Sequence, residues 1–238
     1  MTGARVVIDT TRCIACKSCQ VACQQWHSLT TEDTTFSGTY QNPPDMSGTN
    51  LTVVKFTEAE VEGKLKWLFF KDGCRHCQGA WCKQACPSRA ITQTPAGIVK
   101  IDPAICDPNT CSALPTKPCQ SVCPFSVPKY QYVKNGSPIV TKMMKCDLCY
   151  DRMSSPALPS ASRRPACMVA CPPGIIYAGA NADVIWTKVV NYVKSLRSSG
   201  KFPHATVYPH QNGTWGPTHV IWILPEHSSV YGLPGYSY

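Results

Sequence analysis

The sequence predicts an α+β, loop-rich fold with short hairpins and helices, and three observations carry that prediction. Sixteen cysteines fall into four groups of four. The apolar runs are short, and the best of them, Val220-Ile-Trp-Ile-Leu224, is only strand-length. Twenty-one prolines accompany only 16% charged residues, so much of the 238-residue chain is loop. No run approaches the roughly 18 apolar residues of a membrane span, so no transmembrane helix is expected. The length fits one large or two small domains.

Arg5–Asp9 alternates as a short strand and leads into the first group, Cys13-Ile-Ala-Cys16-Lys-Ser-Cys19-Gln-Val-Ala-Cys23. Spacers of two, two and three are the run that ligates iron–sulfur clusters in bacterial ferredoxins. Three closely spaced thiolates can wrap one cubane. The fourth lies about one helical turn further on and points at a neighbouring cubane. Residues 21–26 can open a helix. A cysteine-free insertion occupies residues 31–73, and its first half, with Gln41-Asn-Pro-Pro-Asp45, is loop-like. Its second half offers strands over 51–57 and 65–71, joined as a hairpin across Glu62-Gly63.

The second group is Cys74-x2-Cys77-x4-Cys82-x3-Cys86-Pro87. A strand is expected over 97–102. The third group, Cys106-x4-Cys111-x7-Cys119-x3-Cys123-Pro124, follows, and then a hairpin of 130–134 with 139–142, turning at Asn135-Gly136. The fourth group splits into Cys146-x2-Cys149 and, past a Ser/Pro-rich loop, Cys167-x3-Cys171-Pro172. Apolar residues Ile185, Val189, Val193 and Leu196 have helical spacing, with Asp183 as N-cap and Gly200 past the end. Two short strands are expected in the tail. The organisation is therefore two nested bacterial-ferredoxin-like units. Residues 1–30 and 140–182 make the outer one and 74–139 the inner one, with 183–238 as a C-terminal helix and partner-binding tail.

Two other readings of the cysteines fail on pattern. A disulfide scaffold is usually shorter and denser in cysteine than sixteen in 238. Paired Cys-x2-Cys motifs also build zinc sites, and Cys146, Cys149, Cys167 and Cys171 taken alone could be a zinc ribbon. Zinc does not require the run of spacers two, two and three, nor a proline after the last cysteine in three of four groups. The formal charge of +9 would ordinarily suggest nucleic acid or an anionic membrane. Each oxidised cubane with four thiolates brings about −2, so four bring the loaded protein near +1. Nucleic-acid binding loses its main support.

The rule that the last cysteine of a run serves the other cluster assigns Cys13, Cys16, Cys19 and Cys171 to one 4Fe–4S cluster. Its neighbour takes Cys23, Cys146, Cys149 and Cys167. In the inner unit Cys74, Cys77, Cys82 and Cys123 form one set and Cys86, Cys106, Cys111 and Cys119 the other. All sixteen thiolates are thereby used, so His27 and His76 read as loop residues, and Arg75 and Arg152 as local counter-charge. Asn212-Gly-Thr214 is a glycosylation triplet short enough to recur by chance. No phosphate-cradling loop, zincin motif or nucleophile with a base appears. The chain is built to move electrons, with no catalytic residues of its own.

Four groups in this order resemble the four-cluster electron-transfer subunits of molybdopterin oxidoreductases. The likeness is carried by Asp9-Thr-Thr-Arg-Cys-Ile-Ala-Cys-Lys-Ser-Cys19, Cys74-Arg-His-Cys-Gln-Gly-Ala-Trp-Cys82, Cys123-Pro-Phe-Ser-Val-Pro-Lys129 and Lys145-Cys-Asp-Leu-Cys-Tyr-Asp-Arg152. It covers residues 5–180. Gln41-Asn-Pro-Pro-Asp45 and Thr218-His-Val-Ile-Trp-Ile-Leu-Pro-Glu226 narrow it to the small subunit of two-subunit tungsten or molybdenum formate dehydrogenases. The third group departs from that family, with spacers of four and seven in place of two and two, which implies a longer loop.

The resemblance implies a large pterin-bound Mo or W catalytic subunit as partner, with the cluster of Cys13, Cys16, Cys19 and Cys171 facing it. The inner pair would lie toward the exit. With no membrane anchor in the sequence, the electron exit is expected to be a soluble carrier such as a cytochrome c or a ferredoxin. The same role for a polysulfide, thiosulfate or nitrite system, or a free-standing polyferredoxin, is the alternative. No signal-peptide segment opens the sequence, so periplasmic location is expected through co-export with the partner, the alternative being cytoplasmic.

Overall fold

The computed structural model describes residues 3–111, 116–132, 140–213 and 215–235. In chain order the elements are β1 (Arg5–Asp9), α1 (Ser18–Trp26), β2 (Val53–Val61), β3 (Lys64–Asp72) and α2 (Trp81–Gln84). Next come β4 (Ile91–Gln93), β5 (Val99–Ile101), α3 (Pro108–Cys111), α4 (Pro118–Ser121), β6 (Lys129–Tyr132) and β7 (Val140–Met144). The remainder are α5 (Tyr150–Ser154), α6 (Ala166–Val169), β8 (Ile176–Gly179), α7 (Ala182–Ser198), β9 (Thr206–Tyr208) and β10 (Val220–Leu224). The mixture is the expected α+β, with small sheets, short helices and much loop. Among the described residues no helix is long and apolar enough to cross a membrane.

The sheet that organises the molecule has the order β8-β1-β10-β9. Strand β1 runs parallel to β10, pairing Val6 with Val220 and Ile8 with Trp222, and antiparallel to β8. Alternation along these strands sorts their side chains to two faces. Val7, Ile221 and Ile223 pack under α7 against Val189, Val193 and Leu196. Val6, Ile8, Trp222 and Leu224 face the other way, toward Phe70 of β3 and the cysteine loops. Val220–Leu224, expected in a partner-binding tail, is thus an interior strand with every residue buried.

Hairpin β2–β3 is longer than its apolar pattern suggested. Val61 pairs with Lys64, so Glu62 and Gly63 form a two-residue turn, both with positive φ (52° and 70°). Such a turn matches strand twist and carries the ladder on through the polar stretch 58–61, which faces solvent. Residues 97–102 contain β5, which pairs with β4, a three-residue strand too short to leave a periodic signal. Strands β6 and β7 pair as expected, while the Asn135-Gly136 turn lies outside the described residues.

Helix α7 begins two residues earlier than expected, at Ala182, and its cap is Asn181 rather than Asp183. The Asn181 side chain accepts from the backbone N–H of Asp183 (3.0 Å) and Val184 (3.1 Å). Asp183 sits instead in the first turn, where a negative charge suits the helix dipole. Gly200 closes the far end with φ 73°, its N–H on the Arg197 carbonyl at 3.0 Å.

Candidate metal centres

Each of the four cysteine groups folds by the same local rules. The third cysteine is the second residue of a short helix in every group: Cys19 in α1, Cys82 in α2, Cys119 in α4 and Cys167 in α6. The fourth cysteine follows after three residues, one helical turn on, which turns its thiol away from the loop that precedes the helix. After three of these fourth cysteines a Cys-Pro-x-x turn closes on a left-handed residue. Arg89, Ser126 and Gly174 have φ of 57°, 51° and 61°. Their N–H groups donate to the carbonyls of Cys86, Cys123 and Cys171 at 3.2, 3.1 and 3.1 Å. Proline suits the position because its nitrogen needs no acceptor there.

The first cysteines show a second repeat. Ala15, His76 and Leu148 have φ of 53°, 48° and 55°. Each turns its N–H onto the sulfur two residues back, Cys13, Cys74 and Cys146, at 3.4 Å in all three cases. The stretched third group departs from this device. Helix α3 fills the four-residue spacer between Cys106 and Cys111, and Cys106 takes its backbone hydrogen bond from Met143 of β7. The longer loop therefore borrows from a neighbouring strand what the other loops supply themselves.

Tertiary folding gathers thiols from distant groups. Cys13, Cys16, Cys19 and Cys171 line one cavity of about 330 Å³ with Ile14, Val54, Lys71 and Ile176. Cys74, Cys77, Cys82 and Cys123 line another of about 410 Å³ with Ala80, Val99, Phe125 and Lys145. Cys86, Cys106, Cys111 and Cys119 line a third of about 320 Å³ with Ile91, Tyr130 and Met143. Each of these sets offers four thiols around one largely apolar hollow, the donor set that a cubane requires. The remaining thiols also meet: Cys23 is raised by Cys167 and Cys149, and Cys146 by Cys23 and Cys167. Cys171 lines the cavity of the first group. All sixteen cysteines are free of disulfides.

Burial, with neighbouring thiolates adding to it, pushes Cys19 up to about 11 and Cys77, Cys82 and Cys149 up to about 12. Thiolates can persist in such surroundings only beside positive charge, which bound metal supplies. Protein cations supply part of it. Lys71 is 6% exposed and stands among Cys167, Cys19, Cys146 and Cys23. Burial alone would lower its pKa, but those four thiols outweigh it and raise it. Lys145 lines the cavity of Cys74, Cys77, Cys82 and Cys123, donates to the Val99 and Cys146 carbonyls, and offsets part of the rise that burial imposes on Cys82. Arg75 pairs with Asp72, lies 4.6 Å over the Phe125 ring and 5.0 Å over Trp222, and offsets part of the rise that burial imposes on Cys77 and Cys123.

The same proximities link one set of thiols to the next. Cys19 feels Cys167, Cys146 feels Cys74, and Cys82 feels Cys119. Two sulfurs carry side-chain partners as well: Cys119 has the Tyr130 hydroxyl at 3.4 Å and Cys149 has His27 Nε2 at 3.8 Å. His76 is a structural residue, fully buried, with Nδ1 accepting from the Val99 N–H at 3.0 Å. Arg152 lies 4.4 Å over the Trp26 ring and donates to the Arg164 carbonyl.

The residues that sequence reasoning missed are Lys71 and Tyr130. A lysine ending the apolar stretch Leu68-Phe-Phe-Lys71 on a buried strand was the available signal for the first. Nothing local marks the second. A wider cleft of about 1020 Å³ contains no cysteine, and its charges satisfy one another, Lys55 bridging Asp45 (3.0 Å) and Asp72 (2.9 Å).

A family model described as a 4Fe-4S dicluster domain matches residues 65–181. Among curated proteins, the chain is 36% identical to the nitrate-inducible formate dehydrogenase iron-sulfur subunit of Escherichia coli, over 96% of this chain and 71% of that protein. It is 37% identical to the formate dehydrogenase subunit beta of Megalodesulfovibrio gigas, over 72% of this chain and 74% of that one. It is 34% identical to the formate dehydrogenase 2 subunit beta (cytochrome c-553) of Nitratidesulfovibrio vulgaris, over 94% of both chains.

Proposed function

The chain belongs to the iron–sulfur (beta) subunits of formate dehydrogenases, and from that premise we propose that it carries four 4Fe–4S clusters in electrical sequence. It would pass electrons between a catalytic subunit holding a pterin-bound Mo or W and a soluble carrier. The observation that carries the count is the sorting of sixteen thiols into four sets of four, three of them around separate cavities. The ligand sets are Cys13, Cys16, Cys19 and Cys171; Cys23, Cys146, Cys149 and Cys167; Cys74, Cys77, Cys82 and Cys123; and Cys86, Cys106, Cys111 and Cys119.

When bound, the clusters supply reversible one-electron carriage, which no side chain of the protein offers. The chain's part is to hold and insulate them. Thiols from two distant segments close each site, and apolar walls such as Val54, Val99, Phe125 and Ile91 keep water away. Buried Lys71, Arg75 and Lys145 stabilise the added negative charge of a reduced site. The proximities of Cys19 with Cys167, Cys146 with Cys74 and Cys82 with Cys119 support a linear route from the first set through to the last. The name cytochrome c-553 in one relative supports a cytochrome c as the soluble carrier for this chain. Export beside a signal-bearing catalytic subunit belongs to the same proposal and predicts both chains in the periplasmic fraction.

Native anaerobic purification tests the reading. A large pterin-containing chain should co-purify, with about sixteen irons per small chain, the number four cubanes need, and negligible zinc. About eight irons, or a monomer with no large partner, would refute it.

A further inference from the structure

His27 is the first residue beyond α1 and caps it, its backbone N–H on the Cys23 carbonyl at 3.1 Å. That cap position carries its imidazole to a segment 122 residues away in sequence. There Nε2 lies 3.8 Å from Cys149 Sγ and 3.4 Å from Asp147 Oδ1, and the side chain is only 16% exposed. The three donor atoms all lie within 4.8 Å of one another. Asp147 Oδ1 also accepts the Cys149 N–H at 2.8 Å, tying the carboxylate to the loop that presents the thiol. Leu148 and Cys149 are both left-handed in that loop (φ 55° and 51°), which sets the direction in which Cys149 leaves the backbone.

A carboxylate and a thiolate are both acceptors, so a ring nitrogen that faces the two matches them only when it carries hydrogen. Asp147 faces the same nitrogen, so it shares the one Nε2–H with the sulfur and holds the ring in that tautomer. We infer that His27 is a positioning residue that donates its Nε2–H to the Cys149 sulfur and raises the reduction potential of the cluster Cys149 ligates. The inference rests on the ligand reading above. Reduction adds one electron and no proton to the cluster and its four thiolates. A donor aimed at one of those sulfurs stabilises the more negative state more, because charge-assisted hydrogen bonds strengthen with acceptor charge. His27 is thereby assigned to one cluster of the four, the one sharing Cys23, Cys146 and Cys167.

The experiment is an EPR-monitored redox titration of the complete complex, purified anaerobically, in wild type, His27→Phe and His27→Gln. His27→Phe should keep about sixteen irons per chain and shift one cluster to lower potential. The shift should change that cluster's reduction equilibrium by up to roughly tenfold, the effect of one such hydrogen bond, with the other three unchanged. His27→Gln retains an N–H donor and should restore most of the shift. Four unchanged potentials in His27→Phe would overturn the inference. Should that variant lose iron, wild-type complex labelled with 15N-histidine decides. A weak nitrogen coupling to one cluster supports the donor role, whereas no coupling, or the strong coupling of a directly bound nitrogen, overturns it. Cys149→Ser separates the two levels: undiminished iron there sinks the ligand reading itself.

Discussion

The outer cysteines Cys13, Cys19, Cys146, Cys167 and Cys171 pack against Val6, Ile8 and Trp222 of the four-stranded sheet, joined there by Cys74, Cys77 and Cys123 of the inner unit, whereas Cys82, Cys86, Cys106 and Cys119 pack with the two-stranded ladders β4–β5 and β6–β7. Both halves nevertheless place the third cysteine at the second residue of a short helix and close three of four groups with a left-handed turn. The loop that grips a cluster is therefore a local structure, indifferent to what lies beneath it. The support decides something else, namely which charges and donors reach the sulfurs. On the outer side, β3 delivers Lys71 among four thiols, and the end of α1 delivers His27. On the inner side, β6 delivers the Tyr130 hydroxyl to Cys119, and the residue after β7, Lys145, borders the cavity. Sets of thiols with nearly equivalent loops thus acquire different electrostatic surroundings.

The largest way to break this comparison is to cut the junction between the halves. Cys146 is the outer thiol that feels Cys74 of the inner unit. Cys146→Ser should remove about four of about sixteen irons and abolish transfer of formate electrons to an external acceptor. The inner clusters should remain reducible by dithionite, which iron analysis and EPR together would check. Cys111→Ser should remove a similar amount of iron but leave the outer pair reducible by the partner.

Trp222→Ala attacks the outer support. That indole is fully buried, stacks with Phe70 and Arg75, and donates to the Lys71 carbonyl at 2.9 Å. A loss of about 3–5 kcal/mol is expected for such a truncation. In an anaerobic thermal melt, the outer EPR signals should bleach before that of the set of Cys86, Cys106, Cys111 and Cys119. Simultaneous loss would show that the inner ladders depend on the sheet as much as the outer loops do.

Lys71→Met sharpens the comparison without touching a ligand. One charge about 4–8 Å away at an effective dielectric constant of about 20 is worth about 2–4 kcal/mol, so both outer clusters should become harder to reduce while the inner pair stays in place. A uniform change across all four would show that Lys71 acts on the whole molecule. Tyr130→Phe is the inner counterpart and the smallest effect. Loss of one hydrogen bond, about 1 kcal/mol, should lower the potential of the cluster of Cys86, Cys106, Cys111 and Cys119 alone. A redox titration in which that signal does not move would remove Tyr130 from the list of tuning groups.

Much of the local architecture was legible in advance. The strand Arg5–Asp9, the hairpin about Glu62-Gly63, the amphipathic helix ending before Gly200 and the strand at Val220–Leu224 all follow from patterns a few residues long. The boundaries slipped where a tertiary partner extended an element, as in β2, or where a side chain out-competed a neighbour, as Asn181 did for Asp183. Strand β4 left no signal because three residues cannot show a period. Lys71 was hidden because a lysine at a strand end ordinarily reaches solvent. Only the arrival of Cys19, Cys23, Cys146 and Cys167 around it turns burial into an advantage.

The sequence by itself determined the chemistry of this protein, because cysteine spacing is a local property: two residues fix a tight loop and three fix one helical turn. It also determined the class of partner, through motifs that identify a formate dehydrogenase iron–sulfur subunit. Tertiary structure alone decided which side chains surround each sulfur. Lys71 meets four thiols because β3 packs against the sheet in which β1 pairs with β10, Tyr130 meets Cys119 in the separate cluster with Ile91, Val99 and Met143, and His27 meets Cys149 across 122 residues of chain. Those pairings follow from burying the alternate faces of strands far apart in the chain, and no spacing along the sequence records them.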